Sequence, residues 1–148
     1  MSGPPRHEAV GLNYYDTLIA VSDDCPAGHA EVPTSRTGRP TIAMVQYAML
    51  SAGPGALTQE DVLFETWLRR QEPEPAAGER PRLRHEFFSR SQACLRASPL
   101  PKRHGWGLLF DGEGRVRLCP VESEEYRRIV AGEVPGVTVV KAMRTRRG

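Results

Sequence analysis

At 148 residues, 39% hydrophobic and 26% charged, the chain has the length of one domain, can bury a core without cross-links and is too apolar to be a disordered segment. Its formal net charge of +2 is too small to imply a polyanionic partner, and no apolar run approaches the roughly 18 to 20 residues that a membrane span requires. The first residues lack the apolar centre of a signal peptide, so the expected location is the cytoplasm, where three cysteines are expected as reduced thiols rather than a disulfide framework.

Residues 1–11, with Pro4, Pro5 and two glycines, have no periodic apolar pattern and read as a mobile arm ahead of a single domain over residues 12–143. Residues 12–21 form the first strong element. Tyr14, Tyr15, Thr17, Ile19 and Val21 favour a strand, and Leu18 with Ala20 makes its second face apolar too, as in a central strand. Residues 22–28 are rich in turn formers and place Asp23, Asp24 and Cys25 just past the carboxyl end of that strand, where functional loops collect. A second flexible loop covers residues 34–40.

From Thr41 the period changes. Ile42, Val45 and Met49, widened by Met44 and Ala48, predict a helix with one buried face that stops at Gly53 and Pro54. Thr58, with Asp61 three residues on and Arg69 and Arg70 in the last turn, predicts a second, capped helix. The alternation of Val62, Phe64, Thr66 and Leu68 leaves open a helical turn followed by a strand. Residues 72–82, with three prolines, read as a surface loop, and residues 83–89, with Phe87 and Phe88, lead into the most unusual stretch.

That stretch is residues 92–107, Q-A-C-L-R-A-S-P-L-P-K-R-H-G-W-G. If residues 92–98 are a strand, Ala93, Leu95 and Ala97 share an apolar face, while Cys94, Arg96 and Ser98 share the other at intervals of roughly 6.5 to 7 Å. Pro99 and Pro101 then end the strand and stiffen the loop that carries Lys102, Arg103 and His104. Beyond Trp106, residues 106–110 and 115–119 flank Asp111-Gly112-Glu113-Gly114 and predict a β-hairpin with Val116 and Leu118 facing inward. Ser123 predicts the cap of a helix to about Ala131, with Tyr126, Ile129 and Val130 buried and Gly132 as its stop. Residues 137–143 form a last strand before the basic tail, residues 144–148. Five strands and two or three helices, joined by hairpins rather than regular βα units, give an α+β domain with a mainly antiparallel sheet.

The chain lacks a Gly-rich phosphate loop, H-E-x-x-H, C-x-x-C and G-x-S-x-G, so no motif of these kinds assigns a chemistry. Cys94 beside Arg96, Lys102 and Arg103 is placed for a stabilised thiolate and hence a nucleophile or redox thiol, against its other reading as a small core residue. Arg96, Lys102 and Arg103 suit a phosphate or carboxylate clamp, against a solvated basic loop. Trp106 between two glycines is either a stacking platform or core. Cys25 and His29 with Cys94 or Cys119 would make a zinc site of unusual spacing, so no metal and no cofactor is expected. The basic tail argues only weakly for nucleic acid, because the chain lacks an aromatic-studded strand motif.

The run C-L-R-A-S-P-L-P-K-R-H-G-W-G (residues 94–107), with N-Y-Y-D-T-L-I-A-V-S-D-D-C-P (13–26), T-Q-E-D-V-L-F-E-T (58–66), P-V-E-S-E-E-Y (120–126) and K-A-M-R (141–144), resembles a family of small bacterial proteins known as domain of unknown function 6157. The resemblance extends over residues 12–147 and implies a single domain; it implies no activity.

The residues themselves point to a small anionic ligand in a pocket formed by the 92–107 segment and the 22–28 loop. Cys25, Arg96, Ser98, Lys102, Arg103 and Trp106 are its expected binding residues. In a reactive version Cys94 is the nucleophile and Asp24 the proton acceptor. The alternative is a protein-interaction or accessory module in which the same residues serve folding. Substrate, oligomeric state and the presence of any reaction lie beyond the sequence.

Overall fold

The strand expected from residues 12–21 forms over Thr17–Ala20 (β1), all four of whose residues are buried, and the rest of the sheet is laid down beside it. The computed structural model describes residues 13–145; the expected arm and the last residues of the basic tail lie outside them. In chain order the elements after β1 are α1 (Ile42–Ala52), β2 (Leu57–Thr58), α2 (Gln59–Arg69), α3 (Arg80–Phe88), α4 (Pro99–Arg103), β3 (Trp106–Phe110), β4 (Arg115–Pro120), α5 (Glu124–Val130) and β5 (Thr138–Lys141).

The sheet order is β2-β4-β3-β1-β5. β1 pairs antiparallel with β3, with Leu18 opposite Leu109, and parallel with β5, with Leu18 opposite Val139. The sheet is therefore mixed and mostly antiparallel, in a single α+β domain. The β3–β4 hairpin is the predicted one, with Leu108 opposite Leu118. Its turn is closed by the Asp111 carboxylate, whose Oδ1 accepts from the backbone N–H of Glu113 at 2.8 Å and of Arg115 at 2.9 Å, while Gly114 takes the positive φ of 81° that the reversal needs.

Alternation along β1 divides the core in two. Ile19 joins Leu108, Phe110 and Val116 beneath α1, α2 and α4, where Leu50, Val62 and Leu100 meet them. Leu18 and Ala20 point the other way, with Leu109 and Cys119, onto Tyr126 and Ile129 of α5. Each fully buried aliphatic side chain of this kind stabilises the fold by about 1.5–3 kcal/mol.

Several expectations are corrected. Among the described residues there are five α-helices rather than two or three, because α3 and α4 were hidden by proline. Both carry it in the first turn, where the absent N–H would have had no partner anyway. α3 also lacks a fully buried residue; it packs through Phe87, whose ring lies 5.8 Å from Phe64 and 5.7 Å from Trp67. α2 is helical throughout, with Thr58 and Asp61 forming a complete capping box, so the strand alternative fails. α1 forms where predicted, capped by Thr41, but its inner face is Ala43, Gln46, Met49 and Leu50, with Ile42 and Ala48 exposed. Val130 of α5 is likewise exposed.

The face of α1 is turned by a polar side chain. Gln46 Oε1 accepts from Ser98 Oγ at 2.7 Å, and its Nε2 donates to Thr66 Oγ1 at 3.3 Å, so the amide keeps hydrogen-bond partners when it points inward, away from water. Gln59, 1% exposed, does the same for the loop before α4, since its Oε1 accepts from the Leu95 N–H at 2.8 Å. Replacing Gln59 by Leu keeps the volume and orphans that buried N–H, so Gln59→Leu is expected to lower unfolding free energy by about 1–3 kcal/mol in guanidinium titrations. A change below about 0.5 kcal/mol, typical of a neutral surface substitution, would show that the N–H finds another partner.

Candidate functional site

The segment expected to present Cys94, Arg96 and Ser98 on one strand face contains no strand. Residues 95–97 form a single 3-10 turn, and Ser98 caps α4 directly behind it. A 3-10 turn has three residues per turn, so side chains two apart no longer share a side. Ala93 is exposed rather than facing the core, while Leu95 is buried as expected.

Each member of the segment consequently has its own surroundings. Ser98 is 4% exposed; its Oγ donates to Gln46 and accepts from the Leu100 N–H at 3.1 Å. The half-buried Cys94 places its Sγ 3.5 Å from the Tyr14 hydroxyl. The tyrosine pKa is pushed up to about 12, first by burial and then by its hydrogen bond and charge interaction with Cys94. Arg96 Nε donates to the Lys141 carbonyl at 2.7 Å, and the Arg96 carbonyl accepts from the Met143 N–H at 2.8 Å. These two bonds clip the turn to the end of β5.

Trp106 also has a structural partner. Its Nε1 donates to the Glu31 carbonyl at 2.8 Å, and its ring lies 5.5 Å from Tyr47. It helps hold the 29–31 segment, which the Glu31 N–H to His104 carbonyl bond and the Ala30 N–H to Glu122 Oε1 bond fasten at two further points. Gly105, at φ +79°, admits this segment: a Cβ there would lie 2.5 Å from the His29 carbonyl oxygen.

The 22–26 loop docks on the carboxyl end of α4. The Ser22 N–H donates to the Pro101 carbonyl at 3.0 Å, and Ser22 Oγ lies 3.0 Å from Asp24 Oδ1 and 3.2 Å from the Lys102 carbonyl. Asp24 in turn accepts from the Thr145 N–H at 3.0 Å. The half-buried Cys25 donates its N–H to the Ser22 carbonyl at 3.2 Å, while its Sγ makes a long contact, 3.8 Å, with the Ala27 carbonyl. Asp23 turns outward, held below the usual carboxylate range by Lys141 at 2.6 Å and, more weakly, by Arg144.

This docking encloses a cleft of about 500 Å³ lined by Asp24, Pro26, Arg103 and Thr145. The two predicted segments thus meet, but through few of the predicted residues. Asp24 and Arg103 face the cleft; Cys25, Cys94, Arg96, Ser98, Lys102 and Trp106 do not line it. Arg103 is exposed, and no carboxylate among the described residues lies within ion-pair distance of its guanidinium. Tyr14 and Thr145 were missed as neighbours of candidate residues, and no local signal marks them, since Tyr14 is 80 positions from Cys94 and Thr145 is 121 from Asp24. Among the described residues no group of three or more His, Cys, Asp or Glu side chains is arranged to hold a metal ion, and no helix is long and apolar enough to cross a membrane.

Compared with known proteins, the chain matches over residues 9–148 a protein-family model described as a family of unknown function. No curated protein and no solved structure matches it.

The burial of Tyr14, reinforced by its contact with Cys94, has a pH signature. A tyrosine whose folded-state pKa is raised from 10.0 to about 12 contributes stability that is fully present below pH 10 and is lost as pH rises through the folded value. Tyr126 is raised too, mainly by burial, and acts in the same direction. Stability from urea melts is therefore expected to fall between about pH 10 and 12, and Tyr14→Phe is expected to make the fall shallower. An unchanged slope in that variant would mean that Tyr14 titrates normally in the folded protein.

Proposed function

We propose that this chain, which belongs to the family of unknown function DUF6157, binds a small organic anion in the cleft between the 22–26 loop and the carboxyl end of α4. Arg103 supplies the charge. The observation that carries this reading is the contrast within one cleft wall: the Asp24 carboxylate is engaged by the Thr145 N–H and the Ser22 hydroxyl, whereas the Arg103 guanidinium has no carboxylate beside it among the described residues. Asp24 thus orders the wall and Arg103 is left to meet a ligand, through a fork that suits carboxylate or phosphate oxygens. The cleft volume falls within the range of about 300–1,000 Å³ that small-molecule sites occupy.

The proposal is for binding, without a reaction step. Cys94 does not line the cleft, and its sulfur faces the Tyr14 hydroxyl. Arg96 donates to a backbone carbonyl and serves the fold.

The test is thermal shift with a panel of millimolar carboxylates and phosphates, on wild type, Arg103→Gln and Arg96→Lys. A ligand at ten times its Kd stabilises by about 1.4 kcal/mol, which corresponds to roughly 3–5 °C in a protein of this size. Arg103→Gln is expected to lose that shift at an unchanged basal melting temperature. Arg96→Lys is expected to keep the shift but melt lower, by the ~1 kcal/mol of its bond to Lys141. A full shift in Arg103→Gln would refute the assignment of the charge to Arg103. No shift for any anion in wild type would favour the interaction module instead.

A further inference from the structure

A second cleft, of about 440 Å³, opens where the 34–41 loop meets the carboxyl end of α2, and Arg39, Arg70, His104, Thr34 and Thr41 are among the residues that line it. Arg39 and Arg70 also line an adjoining cleft of about 360 Å³, together with Glu72. Arg103 belongs to neither. Nine arginines among the described residues sit within 4.0 Å of a carboxylate, but Arg39 and Arg70 have none there. Among the described residues most guanidinium groups have a carboxylate beside them, yet two without one line the same concavity, where an anion between them would relieve their mutual repulsion.

We propose that this cleft binds the phosphate group of a small phosphomonoester, with Arg39 and Arg70 as its two cationic contacts. A phosphomonoester near neutral pH carries up to two negative charges and three terminal oxygens, enough to accept from two guanidinium forks at once. A monocarboxylate would satisfy one fork and leave the other charge uncompensated. Hydroxyl donors are at hand as well. Thr41 Oγ1 accepts from the Met44 N–H at 3.2 Å, which leaves its own proton to give. Arg39 is steadied at its backbone, where its N–H donates to Thr37 Oγ1 at 3.3 Å. Glu72, on the wall of the adjoining cleft, disfavours negative charge beyond a single phosphate, so a monophosphate fits better than a polyphosphate or a nucleic-acid strand.

The experiment is calorimetric titration of the full chain with inorganic phosphate, glycerol phosphate and acetate, for wild type, Arg39→Gln, Arg70→Gln, the double variant, Arg103→Gln and all three substitutions together. Melting curves check that the variants, all at exposed positions, remain folded. Wild type is expected to bind phosphate and glycerol phosphate in preference to acetate. Each single substitution in the cleft is expected to weaken binding about tenfold, the loss of one charge-assisted contact. Arg103→Gln, which disables the first cleft, is expected to retain phosphate binding through Arg39 and Arg70, and adding both of the second cleft's substitutions to it is expected to abolish that binding. Wild-type binding in the double variant, or equal affinity of Arg103→Gln for acetate and phosphate, overturns the proposal. Loss of phosphate binding in Arg103→Gln alone assigns the anion to the first cleft, which removes this inference and leaves the earlier reading in place. No phosphate binding by wild type, alongside a carboxylate shift that depends on Arg103, has the same effect.

Discussion

Two buried glutamine amides hold in place the least regular stretch of the molecule, residues 92–98. A 3-10 turn satisfies few of its own backbone groups, so a segment of this kind can lie in an interior only where other elements supply partners. Gln59 supplies the acceptor for the Leu95 N–H and Gln46 the acceptor for Ser98 Oγ. Gln46 also donates to Thr66, whose hydroxyl donates back to the Val62 carbonyl at 2.6 Å. The chain of bonds ties α1, α2 and the start of α4 to one another through polar side chains that are buried. Buried networks of this sort hold one arrangement when complete and are costly when broken.

From that anchorage follows the position of everything near α4. Because Ser98 is pinned, Pro99–Arg103 starts at a defined place, and its last carbonyls lie where the 22–26 loop can donate to them. Arg96, at the outer side of the same turn, reaches the end of β5, which brings residues 143–145 across toward Asp24. The first cleft is thus a product of three separate attachments, none of which involves a residue specialised for chemistry. The 29–31 segment, strapped over Gly105 by Trp106 and Glu122, is a fourth attachment on the far side of His104 in the chain.

Charge is distributed on a different logic from packing. Most acidic side chains of the described residues face arginines, as in the Arg82 contacts with Glu79 and Glu86, and such exposed pairs add little stability. What they do accomplish is to lower the local field over most of the surface. Guanidinium groups left without a carboxylate, such as Arg39, Arg70 and Arg103, then stand out against a nearly neutral background, and a net charge of +2 conceals this unevenness.

What the sequence determined by itself was governed by short-range physics. Thr58 and Ser123 cap helices because a hydroxyl three residues before a free N–H needs no tertiary help, and Asp111 to Gly114 close a hairpin for the same reason. The central place of β1 was readable because a strand apolar on both faces must be covered on both. The α+β class, the hairpin and three of the five helices follow from such signals. Proline concealed α3 and α4, since its exclusion from helix interiors does not extend to the first turn. The face of α1, the conformation of residues 92–98 and the membership of each cleft were decided only in three dimensions. Gln46 turns inward because Thr66 and Ser98, 20 and 52 positions away, complete its amide. Cys94, Arg96 and Ser98 part company because a turn, rather than a strand, satisfies the partners offered by Gln59 and Lys141. Periodicity reports which side of an element is apolar, but the pairing of a polar group depends on what folding brings within about 3 Å of it.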